Sequence, residues 1–256
     1  MNKKLTVGII GYGRFGKLWA SCLLAHASVR VYDKKKLPKK LPRGVAAATL
    51  ARVVHTDILF LSVPISEIES CCKRIAPLLK SHTIVSDVLS VKIHPVSIMN
   101  IFLPKNQPLI ATHPLFGPDS AQHGIAGKSI VVCPLRMSMY QRNIFENLIK
   151  SLGLTIIRAT PRQHDKAMAR SQALVHLIGR SVQPLRLRPQ NIFTPEYASL
   201  LTMQRMVQHD SFALFFDMQR YNPYAKTMRK KLIGKLTVLE RKIDCLPTTH
   251  FVNPHP

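Results

Sequence analysis

The first 159 residues alternate short, uninterrupted apolar runs with stretches of helical spacing, and this rhythm restricts the fold more than any other feature of the chain. Leu5-Thr6-Val7-Gly8-Ile9-Ile10 is such a run and leads through glycines to a helical stretch at residues 17–26. Val29-Arg30-Val31-Tyr32 is a second strand. Residues 57–63 make a third, closed by Pro64, with a helical stretch at 65–79 and a fourth strand at 83–87. Residues 109–112 and 129–132 read as strands, 139–152 as a helix, and 154–157 as the last strand. Continuous apolar strands alternating with helices predict a largely parallel sheet covered on both faces.

The rhythm changes at Thr160. Thr160-Pro161-Arg162-Gln163 offers an N-cap, a proline at the first helical position and a glutamine that completes a capping box. Ala167, Met168, Leu174, Val175, Leu177, Ile178 and Val182 then recur at helical spacing, as though His164 and His176 lay on one helix. Further helices are expected at 197–221 and 224–243, and the tail from Pro247 is expected to fray. No strand-like alternation follows Thr160, so an all-helical region of residues 160–256 succeeds the sheet domain of residues 1–159.

Gly11-Tyr12-Gly13-Arg14-Phe15-Gly16 joins the first strand to the first helix. A G-x-G-x-x-G alone is weak evidence, but strand before and helix after is the context in which it binds a dinucleotide. Gly11 permits the tight turn, Gly13 lets backbone approach a pyrophosphate, and Gly16 allows helix to pack on sheet, while helix N–H groups face the phosphates. Asp33 ends the second strand 17 residues after Gly16, where a carboxylate accepts hydrogen bonds from ribose hydroxyls and repels a 2′-phosphate. NAD is therefore expected as cofactor. Lys34, Lys35 and Lys36 soften the preference, leaving NADP as the alternative. Ser62, Val63 and Pro64 are expected to border the cofactor at the end of a central strand. The expected class is α/β, a Rossmann-type doubly wound, mostly parallel sheet followed by a smaller helical domain.

Composition narrows the partners. Lys+Arg 37 against Asp+Glu 13 gives a formal net charge of +24, which raises nucleic-acid binding as a reading. The basic residues are spread along the chain, however, and the aromatic interleaving of single-strand binders is missing, so no dedicated nucleic-acid partner is expected. No apolar run approaches the roughly 18 residues of a spanning helix, and Met1-Asn2-Lys3-Lys4 runs straight into a strand without a signal-peptide pattern. Cys22, Cys71, Cys72, Cys133 and Cys245 include no Cys-x-x-Cys pair. They are read as reduced thiols of a cytoplasmic protein, with no metal site.

Two runs follow strands and should project from the carboxyl edge of the sheet: Asp87-Val88-Leu89-Ser90-Val91-Lys92 and Thr112-His113-Pro114-Leu115-Phe116-Gly117-Pro118-Asp119-Ser120. Together with His123-Gly124, His164-Asp165-Lys166, Ser171-Gln172, His176, Gly179-Arg180, Asp210-Ser211-Phe212 and Tyr221-Asn222, the chain resembles the prephenate/arogenate dehydrogenase family, particularly its plant arogenate branch. The resemblance spans nearly the whole chain. It implies an NAD(P)-dependent oxidative decarboxylation of a cyclohexadienol in tyrosine biosynthesis, from arogenate to tyrosine or from prephenate to 4-hydroxyphenylpyruvate. It makes His113 the catalytic group at the ring hydroxyl, a task suited to a neutral imidazole, and Ser90 its hydrogen-bonding neighbour.

Since the substrate is anionic, an arginine should hold it. Arg205 is the choice from the bacterial branch, although a solvated helix charge explains it as well, and Arg220 is held in reserve. Asp210 would attract the ammonium of arogenate, which prephenate lacks. His164 and His176 read as packing or interface histidines. Plant relatives tend to use NADP and lack an acid at the place of Asp33, so the cofactor preference does not carry over from them. The chain leaves no room for a regulatory domain or a fused mutase, so a stand-alone enzyme is expected. Phe212, Leu214, Phe215 and Phe216 exceed what so small a helical region can bury alone, and a homodimer through that region is expected. Two other readings remain: a two-domain β-hydroxyacid or pyrroline-carboxylate reductase, and a non-enzymatic basic binding protein on a degenerate nucleotide fold.

Overall fold

In the computed structural model, which describes residues 4–245, β1 (Leu5–Ile10) leads through the glycine turn into α1 (Arg14–Leu23). Then come β2 (Ala27–Tyr32), β3 (Val45–Ala47), α2 (Leu50–Val54), β4 (Ile58–Leu61), α3 (Ile68–Ile75), β5 (Ile84–Asp87), α4 (Ile93–Phe102) and β6 (Leu109–Pro114). β7 (Ser129–Arg136), α5 (Met139–Ser151) and β8 (Thr155–Arg158) complete the sheet. The remaining described elements are helices: α6 (Pro161–Arg170), α7 (Gln172–Val182), α8 (Pro195–Gln208), α9 (Phe212–Tyr221) and α10 (Ala225–Asp244). The tail from Pro247 lies outside the described residues.

The eight strands lie in the order β3-β2-β1-β4-β5-β6-β7-β8. β1, β2, β4, β5 and β6 all run parallel, so their carboxyl ends share one edge. The order reverses between β1 and β4, and an open α/β sheet forms its ligand crevice at such a point. Every residue of β4, β5 and β6 is buried, the signature of strands covered on both faces. Trp19 of α1, Phe60 of β4 and Phe145 of α5 fill one face. Leu59, Leu61, Val85 and Ala111 pack beneath α3 and α4 on the other.

Within this mostly parallel sheet β7 runs antiparallel to β6, a reversal the sequence did not locate, and β8 runs parallel to β7. A parallel return needs a crossover element, and residues 115–128 contain only turns. β3 and α2 were not legible as elements, because a three-residue edge strand and a five-residue helix carry too little periodicity.

Two expected helices are each broken in two. Ser171 separates α6 from α7 with φ −117° and ψ −89°, and its hydroxyl donates to Ala167 O at 2.9 Å, a side-chain bond that competes with the helical ladder. The helix expected at 197–221 ends at Gln208. Ser211 caps a new one by accepting a hydrogen bond from Leu214 N at 3.1 Å. The start of α6 follows the expected capping box, with Thr160 and Gln163 bonding each other's backbone N–H groups.

Candidate functional site

At the end of β1 the backbone turns through Gly11 at φ +98°. A Cβ there would meet Ser62 O at 2.3 Å, and one on Gly16 would meet Gly11 O at 2.0 Å. Both are backbone obstacles, so only glycine permits this packing of turn, helix and β4. Gly13 is exposed, with nothing within 4 Å of where a Cβ would stand. No described residue accepts from the N–H groups of Gly13, Arg14, Phe15 and Gly16, and no side chain caps α1. An open cradle of free donors at a helix N-terminus suits a pyrophosphate. Asp33 lies beside it, accepting from Tyr12 N at 2.7 Å and Lys35 N at 2.8 Å. These bonds fix the carboxylate at the end of β2 and leave lone pairs for ribose hydroxyls. The half-buried Phe15 ring packs against the core, stacking on Trp19 at 5.8 Å.

Across the switch point, β5 and β6 bring the other two runs to the same edge, with Asp87 paired to Ala111. His113 is buried near the end of β6. Its Nδ1 lies 2.9 Å from His164 Nε2, and His164 Nδ1 lies 2.8 Å from Asp165 Oδ1. The carboxylate of Asp165 also accepts from Lys92 N at 2.7 Å and Ile93 N at 2.9 Å. Behind them, fully buried Lys92 forms an ion pair with Asp87 and donates to Thr112 O at 2.5 Å. Burial pushes the His113 pKa well below the ordinary imidazole range, and His164 and the charge of Lys92 push it the same way. Burial also lowers that of His164, against the pull of Asp165. The imidazole partner of His113 is thus His164, which sequence had set aside as packing. Ser90, expected as the hydrogen-bonding neighbour of His113, makes no hydrogen bond to it: the imidazole nitrogen Nδ1 is taken by His164.

A second polar cluster joins the glycine turn to the helices. Arg14 Nη2 donates to both carboxylate oxygens of Asp119 at 2.8 and 2.9 Å, while its Nη1 donates to His209 O at 2.5 Å and approaches Asp210 at 3.6 Å. Asp210 in turn lies 3.6 Å from His176 Nε2, and its carbonyl accepts from Arg180. His176 and Arg180 are buried, and His176 Nδ1, Arg180 Nε and Gln172 Oε1 have no hydrogen-bond partner among the described residues. These three side chains recur at four-residue spacing along one face of α7. Arg205 is elsewhere. It is exposed on α8 and bonds only Thr202 Oγ1 of its own helix. The sequence offered Arg180 only within the run Gly179-Arg180, with no role attached; its place in the four-residue series Gln172, His176, Arg180 is the signal that could have marked it.

Comparison with known proteins bears on this geometry. Residues 26–157 match the family model described as prephenate dehydrogenase, nucleotide-binding domain. The chain belongs to the prephenate/arogenate dehydrogenase family. Residues 182–245 match the model described as TYRAAT1-like, C-terminal domain. Arogenate dehydrogenase 2, chloroplastic, of Arabidopsis thaliana is 26% identical over 94% of this chain and 74% of its own length. Arogenate dehydrogenase 1, chloroplastic, of the same plant is 28% identical over 92% of this chain and 40% of its own. The fold is similar to the crystal structure of prephenate dehydrogenase from A. aeolicus in complex with hydroxyphenyl propionate and NAD+. That likeness has a TM-score of 0.72 at 17% identity, covering 94% of this chain and 91% of that one. The chain is thus a member of an oxidoreductase family that works with a nicotinamide dinucleotide.

Proposed function

We propose that this chain oxidatively decarboxylates a cyclohexadienol of tyrosine biosynthesis, with arogenate preferred over prephenate and NAD preferred over NADP. The observation that carries it is the position of His113: a buried imidazole, neutral by virtue of its surroundings, at the strand edge that also carries the glycine cradle. The bound cofactor supplies the hydride acceptor. His113 takes the proton of the ring hydroxyl, the ring carboxylate departs as carbon dioxide, and the ring becomes aromatic. A neutral imidazole meets that requirement near pH 7. Ser90, in the loop after β5 and not bonded to His113, is left to meet the substrate hydroxyl or the cofactor.

Asp33 supports NAD, since its fixed carboxylate would repel a 2′-phosphate. Gly11, Gly13, Arg14, Phe15 and Gly16, with Ser62, Val63 and Pro64, border the dinucleotide. Arg180, buried beside Asp210, is the arginine better placed than Arg205 to meet a substrate carboxylate. The carboxylate of Asp210 favours the arogenate ammonium. Residues 1–159 serve the cofactor and residues 160–256 the substrate and a homodimer, because exposed apolar residues recur along α10. The unbridged, buried thiols of Cys71, Cys72 and Cys133 favour a reducing compartment. The test is spectrophotometric NADH formation with arogenate and prephenate in parallel. Faster turnover of arogenate is expected, and no reduction with either substrate would overturn the reading.

A further inference from the structure

Resting on that reading of His113 as the base, we propose that His164 and Asp165 are positioning residues. Together they form a carboxylate–imidazole–imidazole relay that fixes the tautomer of His113 and leaves the lone pair on its Nε2.

Donor and acceptor rules along the relay allow one arrangement. The Asp165 carboxylate can only accept, so the His164 Nδ1 facing it at 2.8 Å carries a hydrogen. With His164 neutral, its Nε2 is then an acceptor. His113 Nδ1, 2.9 Å away, must donate to it. A neutral His113 protonated on Nδ1 has an unprotonated Nε2, and no described residue hydrogen-bonds that atom. Reversing the order needs a proton on Asp165. Its oxygens already hold the N–H groups of Lys92 and Ile93, so a proton there displaces or weakens a backbone hydrogen bond.

The same contacts hold the relay in place. Asp165 caps the N-terminus of α4, and Asn222 Nδ2 donates to Asp165 O at 2.8 Å. Lys92 clamps the backbone of Thr112, the neighbour of His113. In the reaction the hydroxyl proton moves to His113 Nε2. The resulting imidazolium donates from Nδ1 to His164, whose own N–H points at the Asp165 carboxylate.

Asp165→Asn tests this directly. The amide removes the anion at which the His164 N–H points, and where its Nδ2 replaces the oxygen shared by His164 Nδ1 and Lys92 N the relay reverses and places the His113 proton on Nε2. By analogy with the wrong-tautomer effect in a serine-protease triad, kcat with the faster substrate should fall on the order of 10^3- to 10^4-fold. The Kd for NAD and the KM should change by less than about threefold, on the same reasoning. A fall in kcat of less than about tenfold would overturn the proposal. If the variant does not fold, nitrogen-15 NMR of histidine-labelled wild-type protein at neutral pH decides, with the His113 signals assigned by their loss in His113→Asn. Protonation of His113 on Nδ1 is expected, and protonation on Nε2 refutes the relay. Because that spectrum needs no substrate, it separates failure of the relay from failure of the dehydrogenase reading.

Discussion

An imidazole acts as a base only while it is neutral, and three features keep His113 so: burial, the neighbouring His164, and the positive charge of Lys92. Asp87 and Asp165 are the acidic groups nearby, one paired to Lys92 and the other bonded to His164. Because its pKa lies below the ordinary value of about 6.5, the active, unprotonated form persists as pH falls. The acid limb of kcat/KM should therefore lie well below pH 6.5; an inflection at or above that value would remove His113 as the titrating base. His113→Asn should lower turnover by roughly 10^2- to 10^4-fold while cofactor binding, followed by fluorescence titration, stays intact. Asp210→Asn should shift the ratio of kcat/KM from arogenate toward prephenate, and an unchanged ratio would detach Asp210 from substrate choice. At this scale sequence singled out His113 and Asp33 as candidates but did not pair His113 with His164 and Asp165, because His164 meets it only across 51 residues of chain.

Among the elements, the glycine turn shows how local sequence dictates packing. The missing Cβ of Gly16 is replaced by the carbonyl of Gly11, and neither atom has another place to go. Gly16→Ala should lower urea stability by about 1–3 kcal/mol through overpacking and weaken cofactor binding more than any change on the outer face of α1. A binding constant and midpoint equal to wild type would show that the turn relaxes. The strand runs and the Thr160 capping box were legible because each rests on residues close in the chain. The breaks at Ser171 and Ser211 were not, since apolar spacing continues across both and only the hydroxyl bonds interrupt the ladder.

In the whole molecule, the first half of α10 packs through Ala225, Met228 and Arg229 against α6, α7 and α9. Its second half leaves Ile233, Leu236, Val238, Leu239 and Ile243 exposed, as are Phe212 and Phe216 on α9. If a second copy covers this surface, the double variant Leu236→Lys and Leu239→Lys should halve the mass measured by light scattering. A wild-type chain that already runs at the mass of a monomer would sink that expectation.

The sequence alone determined the alternation of strands and helices, the glycine-rich turn between β1 and α1 and the helical second part. Each depends on residues close together in the chain, where steric rules, periodicity and capping chemistry act directly. Tertiary structure alone decided the reversal of β7, the choice of Arg180 over Arg205 as the buried guanidinium, and the chain of hydrogen bonds from Asp165 through His164 to His113. Those depend on which distant groups share a desolvated space, and linear spacing carries no record of that.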